Sequence, residues 1–195
     1  MNKEKELGYQ VRSFERRFEV RAEGEKLKIE GYFAVFGDKY EMWPGAVEEI
    51  APGAFATTIK SDDIRALINH DTTLVLGRNT AGTLELREDE HGLWGSIEIN
   101  PKDSDAMNAH ARVERGDVNQ CSIGMDILEE VTDYLEDGSV HWTIKSVKLY
   151  EVSICTFPAY EETSVEARKA DYANIVKRKN EAWKDSMLKK LKGEQ

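Results

Sequence analysis

The sequence predicts a mainly β fold of antiparallel strands, a barrel or a sandwich, with a few flanking helices. Two observations carry this expectation. Short runs that alternate apolar and polar residues recur at regular spacing between Gly, Pro, Asn and Asp turn signals, which suits hairpins better than βαβ units. Helical periodicity is confined to a short piece near residue 60, one stretch at 101–115, and a long amphipathic run from about Val165.

Taken in order, residues 1–27 alternate charges with few apolar residues apart from Val11, Phe14, Phe18 and Val20, and 1–13 read as a flexible N-terminal segment. Phe14, Phe18 and Val20 suggest an edge strand starting near Glu15. Leu27, Ile29, Gly31, Phe33 and Val35 share one phase of a strand that ends at Gly37-Asp38. Tyr40 to Gly45 reads as a loop with aromatic anchors. Pro52-Gly53 then turns the chain into a short helix through about Lys60. Ile64 to His70 is an apolar strand ending in His-Asp. Two more strands follow, Leu74–Arg78 and Gly82–Arg87. Leu93 to Asn100 alternates again after the Asp89–Gly92 turn.

Pro101 to Arg115 reads as a helix with Asp103 or Ser104 as its cap and Gly116 as its stop. A strand from Val118 to about Val131 meets a returning strand, Val140 to Phe157, through the hairpin signal Glu136-Asp137-Gly138-Ser139. In the tail, Tyr172, Ile175, Val176, Trp183, Met187, Leu188 and Leu191 form an apolar stripe. The expected organisation is a flexible segment 1–13, a β domain 14–164 and a helical tail 165–195.

Charge and composition exclude several classes. The chain of 195 residues carries 27 basic and 37 acidic side chains. Nine basic and five acidic residues fall in 166–195, which leaves that tail at +4 and the preceding body at −14. An acidic body disfavours nucleic acid as a partner. No run reaches the eighteen or so apolar residues of a membrane span, and the N-terminus has no apolar core of a secretory signal, so a cytosolic protein without membrane contact is expected. Two cysteines are too few for a disulfide scaffold. They and the histidines lack zinc-ligand spacing, and no phosphate-binding glycine loop or Gly-x-Ser-x-Gly elbow is present. No cofactor is expected.

The run Asn119-Gln120-Cys121-Ser122-Ile123-Gly124-Met125 places a hydroxyl in an apolar strand, two residues before a glycine that allows close backbone approach. A serine in a strand is most often a tolerated small residue. A useful serine nucleophile needs a base, and the base needs an orienting group. His91 and His141 sit at turns and His110 in the helix. His70 stands where the chain leaves a sheet, which makes it the candidate base. Two carboxylates could orient it. Asp71 is adjacent in sequence and points away in an extended chain, whereas Glu151 lies in the otherwise apolar Leu149 to Cys155. There it must find a partner or a polar cleft, and an ion pair with a lysine or arginine would also serve.

The ordered set Gly31-Tyr32-Phe33-Ala34-Val35-Phe36, Glu49 to Phe55, Asn69-His70-Asp71, Leu76-Gly77, Gly92-Leu93, Arg115-Gly116, Cys121 to Met125, Glu151-Val152-Ser153 and Pro158-Ala159 resembles the prohead (capsid maturation) serine proteases of tailed phages. It spans roughly residues 14–166, about four-fifths of the chain. That family is related in fold to the herpesvirus assemblin proteases. The resemblance therefore implies a closed antiparallel β-barrel, with Ser122 as nucleophile and His70 as general base. The related viral enzymes have a histidine at the third position. Here the matching place holds Glu151, with Asp71 as the fallback. The implied function is a serine endopeptidase that cleaves scaffolding segments of capsid proteins, and its own ends, inside the assembling procapsid in the host cytoplasm. The implied partners are the major capsid protein and its scaffolding segment, with the portal protein and a second copy of the chain as further ones. The competing class is a non-catalytic β-barrel that binds shell proteins during assembly.

Overall fold

The structure, a computed structural model, describes residues 9–157 except 16, 17, 24, 25 and 136, together with helical positions between 168 and 188. The chain divides into two compact units, residues 1–160 and 161–195. In the second unit the described positions are helical, and Trp183, Met187, Leu188 and Val176 of the apolar stripe are exposed. Ile175 and Leu191 of that stripe, the start of the tail near Val165, and Pro158-Ala159 lie outside the described residues.

Eleven strands and two α-helices are described in the first unit, in the order β1 (Gln10–Glu15), β2 (Glu19–Glu23), β3 (Lys26–Val35), β4 (Tyr40–Trp43), β5 (Ala46–Ile50), α1 (Thr58–Ser61), β6 (Arg65–Ile68), β7 (Asp71–Arg78), β8 (Leu84–Glu88), β9 (Gly92–Ile99), α2 (Ser104–Arg115), β10 (Gln120–Tyr134) and β11 (Val140–Cys155). Alternation in the sequence found most of these. Two places differ. The first strand begins at Gln10 rather than near Glu15. Its polar Gln10 and Arg12 are buried because Arg12 pairs with Glu48, Nη2 donating to Oε2 at 2.9 Å, and also donates to Gln10 Oε1 at 2.6 Å. The stretch Tyr40 to Gly45 is a strand and turn, β4 pairing with β5. Pro44-Gly45 is the hairpin turn itself, with Gly45 at φ 82°.

The expected closed antiparallel barrel is not formed. The strands make two open sheets: a seven-stranded one, ordered β1-β10-β11-β5-β4 with β6 and β7 attached to β11, and a four-stranded one ordered β2-β3-β9-β8. The larger sheet is also mixed, because β5 and β6 both run parallel to β11. Regular spacing reports strand length. Direction and closure are decided by which distant strands become neighbours, and the link from β5 through α1 to β6 lays both along the same side of β11. Residues of both sheets, with Phe55 from the link between β5 and α1, share one core that includes Phe33, Leu93, Ile97, Ile123, Ile144 and Val152.

Helix α2 packs on β2, β3, β7 and β9. Its Asp103 cap accepts hydrogen bonds from Asp105 N and Ala106 N, and Gly116 ends it at φ 85°. Among the described residues no helix is long and apolar enough to cross a membrane.

Candidate active site

The site is built on the pairing of β10 with β11. In an antiparallel pair, residues directly opposite each other project to the same face, and successive residues alternate. The register sets Ser122 opposite Ser153, Gly124 opposite Glu151 and Gln120 opposite Cys155. Ser122, Gly124, Glu151, Ser153 and Cys155 therefore share one face. Cys121, Ile123, Met125, Val152 and Ile154 point the other way, into the core. Cys121 packs in this core, and its thiol contacts the Tyr32 and Phe33 carbonyls.

His70 reaches that face from a tight turn. Strands β6 and β7 form a hairpin with Ile68 opposite Asp71, so Asn69-His70 is a two-residue connection. Both residues have positive φ, 50° and 61°, as primed hairpin turns require. Asn tolerates this region, but histidine is unusual there and carries strain. The end of β11 holds the turn in place. Asn69 N donates to Ile154 O at 3.0 Å, Thr156 N donates to Asn69 Oδ1 at 2.9 Å, and His70 N donates to Ser153 Oγ at 3.2 Å. The imidazole then meets Glu151, with Nδ1 to Oε1 at 2.6 Å.

Glu151 is 5% exposed, and its carboxylate is satisfied by neutral donors as well as the ring. Tyr9 Oη donates to Oε1 at 3.0 Å and Ser153 Oγ donates to Oε2 at 2.6 Å. The room for this carboxylate comes from Gly124. A Cβ there would collide with both Tyr9 Oη and Glu151 Oε1. Burial alone pulls the His70 pKa down. Hydrogen bonds to Cys155 and Glu151, and the charge of the carboxylate, outweigh it and push the value up to about 10.

Asp71 is occupied elsewhere. Its carboxylate closes an Asx turn, accepting from Thr73 N at 2.8 Å and Thr73 Oγ1 at 2.6 Å. Ser122 lies on the shared face but is not yet joined to the pair. It is fully buried, its hydroxyl donates to Arg12 O at 3.0 Å, and it accepts from Ser13 Oγ at 3.0 Å. The other ring nitrogen of His70, Nε2, faces Cys155 Sγ at 3.9 Å. Three hydroxyls, Ser13, Ser122 and Ser153, thus line up across β1, β10 and β11. Among the described residues no three His, Cys, Asp or Glu side chains gather as a metal ion would need.

The profile of the family described as Caudovirus prohead serine protease matches residues 13–178. The chain belongs to the caudovirus prohead serine protease family. It is 28% identical over 151 residues to the prohead protease of Enterobacteria phage HK97, an alignment covering 76% of this chain and 63% of that protein. The chain therefore spans less than two-thirds of that relative's length. The solved structure of the bacteriophage T4 capsid assembly protease matches with a TM-score of 0.51, covering 77% of this chain and 98% of that one. At 10% identity this likeness is one of fold.

Four contributors to the site go beyond the sequence reading: the bond of Tyr9 to Glu151, the use of the Gly124 space by the Glu151 carboxylate rather than by a bound group, the two hydrogen bonds of the Ser153 hydroxyl, and the approach of Cys155 to His70. The first could not have been read, because Tyr9 lies 142 residues from Glu151. The spacing Glu151-x-Ser153-x-Cys155, set against Ser122-x-Gly124, carried a signal for the others. Period-two spacing on paired strands puts all five residues on one face.

Proposed function

We propose that the protein is a serine endopeptidase of procapsid maturation, with Ser122 as nucleophile, His70 as general base and Glu151 as the group that orients the imidazole. Its substrates in this reading are the scaffolding segments of capsid proteins and its own ends. Its site of action is the interior of the assembling procapsid. The observation that carries the reading is the 2.6 Å bond between His70 Nδ1 and Glu151 Oε1, made on the sheet face that also bears Ser122.

With its pKa raised to about 10, His70 acts as a base only from its deprotonated form; in that form the carboxylate on Nδ1 leaves Nε2 as the nitrogen that takes the hydroxyl proton, and it stabilises the imidazolium that results. In the resting arrangement the Ser122 proton is held by the Arg12 carbonyl and Nε2 faces a thiol. Attack therefore requires His70 Nε2 and Ser122 Oγ to come together. Such bonds commonly tighten only with substrate bound. Ser122 would then add to the scissile carbonyl, passing its proton to His70, which returns it to the leaving amine.

The test is covalent labelling by a fluorophosphonate, with the modified residue located by mass spectrometry, beside cleavage of co-expressed capsid precursor. Labelling at Ser122 that is abolished in Ser122→Ala and falls to a slow residual rate in His70→Ala, with precursor cleavage lost in both, is the expected result. A folded wild-type chain that neither labels nor cleaves would leave a non-catalytic assembly protein as the better reading.

A further inference from the structure

Resting on the Ser122, His70 and Glu151 assignment above, we propose that Ser153 is a positioning residue: its single hydroxyl ties the His70 backbone to the Glu151 carboxylate, so that base and orienting group are held as one body. The geometry is specific to a hydroxyl. Ser153 Oγ accepts the His70 N–H at 3.2 Å with a lone pair and spends its only proton on Glu151 Oε2 at 2.6 Å. It is fully buried, so water is poorly placed to replace it in either bond. It also sits directly opposite Ser122 in the β10–β11 register, so the tie lies in line with the nucleophile.

The turn it holds is the strained one. With both Asn69 and His70 at positive φ, the imidazole direction is set by how the backbone of this connection is pinned. Two of the pins belong to Asn69, through Ile154 O and Thr156 N, and these keep the hairpin closed. Among the described residues, the pin on the His70 amide is Ser153. On the carboxylate side, Tyr9 and His70 share Oε1, and Ser153 is the hydroxyl on Oε2. Removing the Ser153 oxygen frees one amide and one carboxylate oxygen together, while every strand pairing stays as it is. The result is a loss of aim rather than a loss of fold.

The experiment follows fluorophosphonate labelling of Ser122 over a range of probe concentrations in the full-length chain. Ser153→Ala is expected to lower the limiting labelling rate about 10–100-fold, since a misplacement of the order of 1 Å costs up to about 10²-fold. The half-saturating probe concentration should stay within about threefold of wild type, because Ser153 is placed to act through His70 rather than on the probe. In a His70→Ala background the same substitution should change the residual rate by less than about twofold. A residue acting only through the base has nothing left to position, whereas a general structural defect would still lower the rate. If Ser153→Ala unfolds on heating well below the wild type, Ser153→Cys carries the test. It keeps the shape with a weaker donor and acceptor, and the same pattern is expected. A folded Ser153→Ala or Ser153→Cys that labels within about threefold of wild type overturns the proposal. So does a loss confined to the half-saturating concentration, or an equal loss in the His70→Ala background. Failure of the wild type itself to label at Ser122 would instead overturn the parent assignment, so the two failures are distinct.

Discussion

Replacing Gly124 by alanine is the sharpest test of where the Glu151 carboxylate must sit. A Cβ at position 124 would lie well inside 3.0 Å of both Tyr9 Oη and Glu151 Oε1, distances real Cβ atoms essentially never show. The two obstacles differ in freedom. Tyr9 is 54% exposed and can swing into solvent at little cost. Glu151 is buried, with one oxygen on His70 and the other on Ser153, so relief there means moving the carboxylate by the order of 1 Å and stretching both bonds. Overpacking of this kind costs about 1–3 kcal/mol. For a chain of this size each kcal/mol lowers Tm by about 2–4 °C. Displacing the orienting group should slow Ser122 labelling by about 10²-fold, the loss associated with a misplacement of this size. Fluorophosphonate kinetics and thermal unfolding on the same sample separate the two effects. The rate loss should persist when Gly124→Ala is combined with Tyr9→Ala, since that removes only the movable obstacle. A Gly124→Ala protein that labels at the wild-type rate with an unchanged Tm would refute the orienting role assigned to Glu151.

Three further outcomes are expected. Glu151→Gln should return the His70 pKa from about 10 toward the ordinary 6.5, read by NMR titration of the imidazole. Because the folded value is raised, the His70–Glu151 pair stabilises the wild type fully below about pH 6.5 and loses that contribution as pH rises through about 10. A pH series of Tm on wild type and Glu151→Gln should therefore converge at the alkaline end. Arg12→Ala should destabilise the fold by about 3–5 kcal/mol in urea titration, by depriving the buried Glu48 of its guanidinium. The double change Arg12→Met with Glu48→Leu should cost much less. Asp103→Ala removes the cap that accepts from Asp105 N and Ala106 N, and should cost about 1 kcal/mol of stability, with labelling at Ser122 unaffected.

The sequence by itself determined the local layer of this protein. Alternation placed β3, β9, β10 and β11 close to their observed spans, because a pleated strand with one buried face must repeat every two residues. Asp103 and Gly116 bounded α2 because the orphan amides and the left-handed exit at helix ends favour those residue types. The ordered motifs were enough to point to the prohead protease family, and with it to Ser122, His70 and Glu151 as candidates. The polar strand β1 is hidden from the hydrophobic pattern, since Gln10 and Arg12 are buried where Arg12 pairs with Glu48, thirty-six residues away.

Tertiary structure alone decided the rest. Whether Asp71 or Glu151 meets His70 turned on the hairpin between β6 and β7, where two positive-φ residues swing the ring over β11 while Asp71 is spent on Thr73. The open, mixed sheets in place of a closed barrel follow from β5 and β6 both lying parallel to β11, a choice of neighbours made across 94 and 86 residues of chain respectively. Hydrophobic periodicity records which side of each strand is buried. It holds no record of which strand comes to lie alongside, because that pairing is settled by packing between segments far apart in the chain.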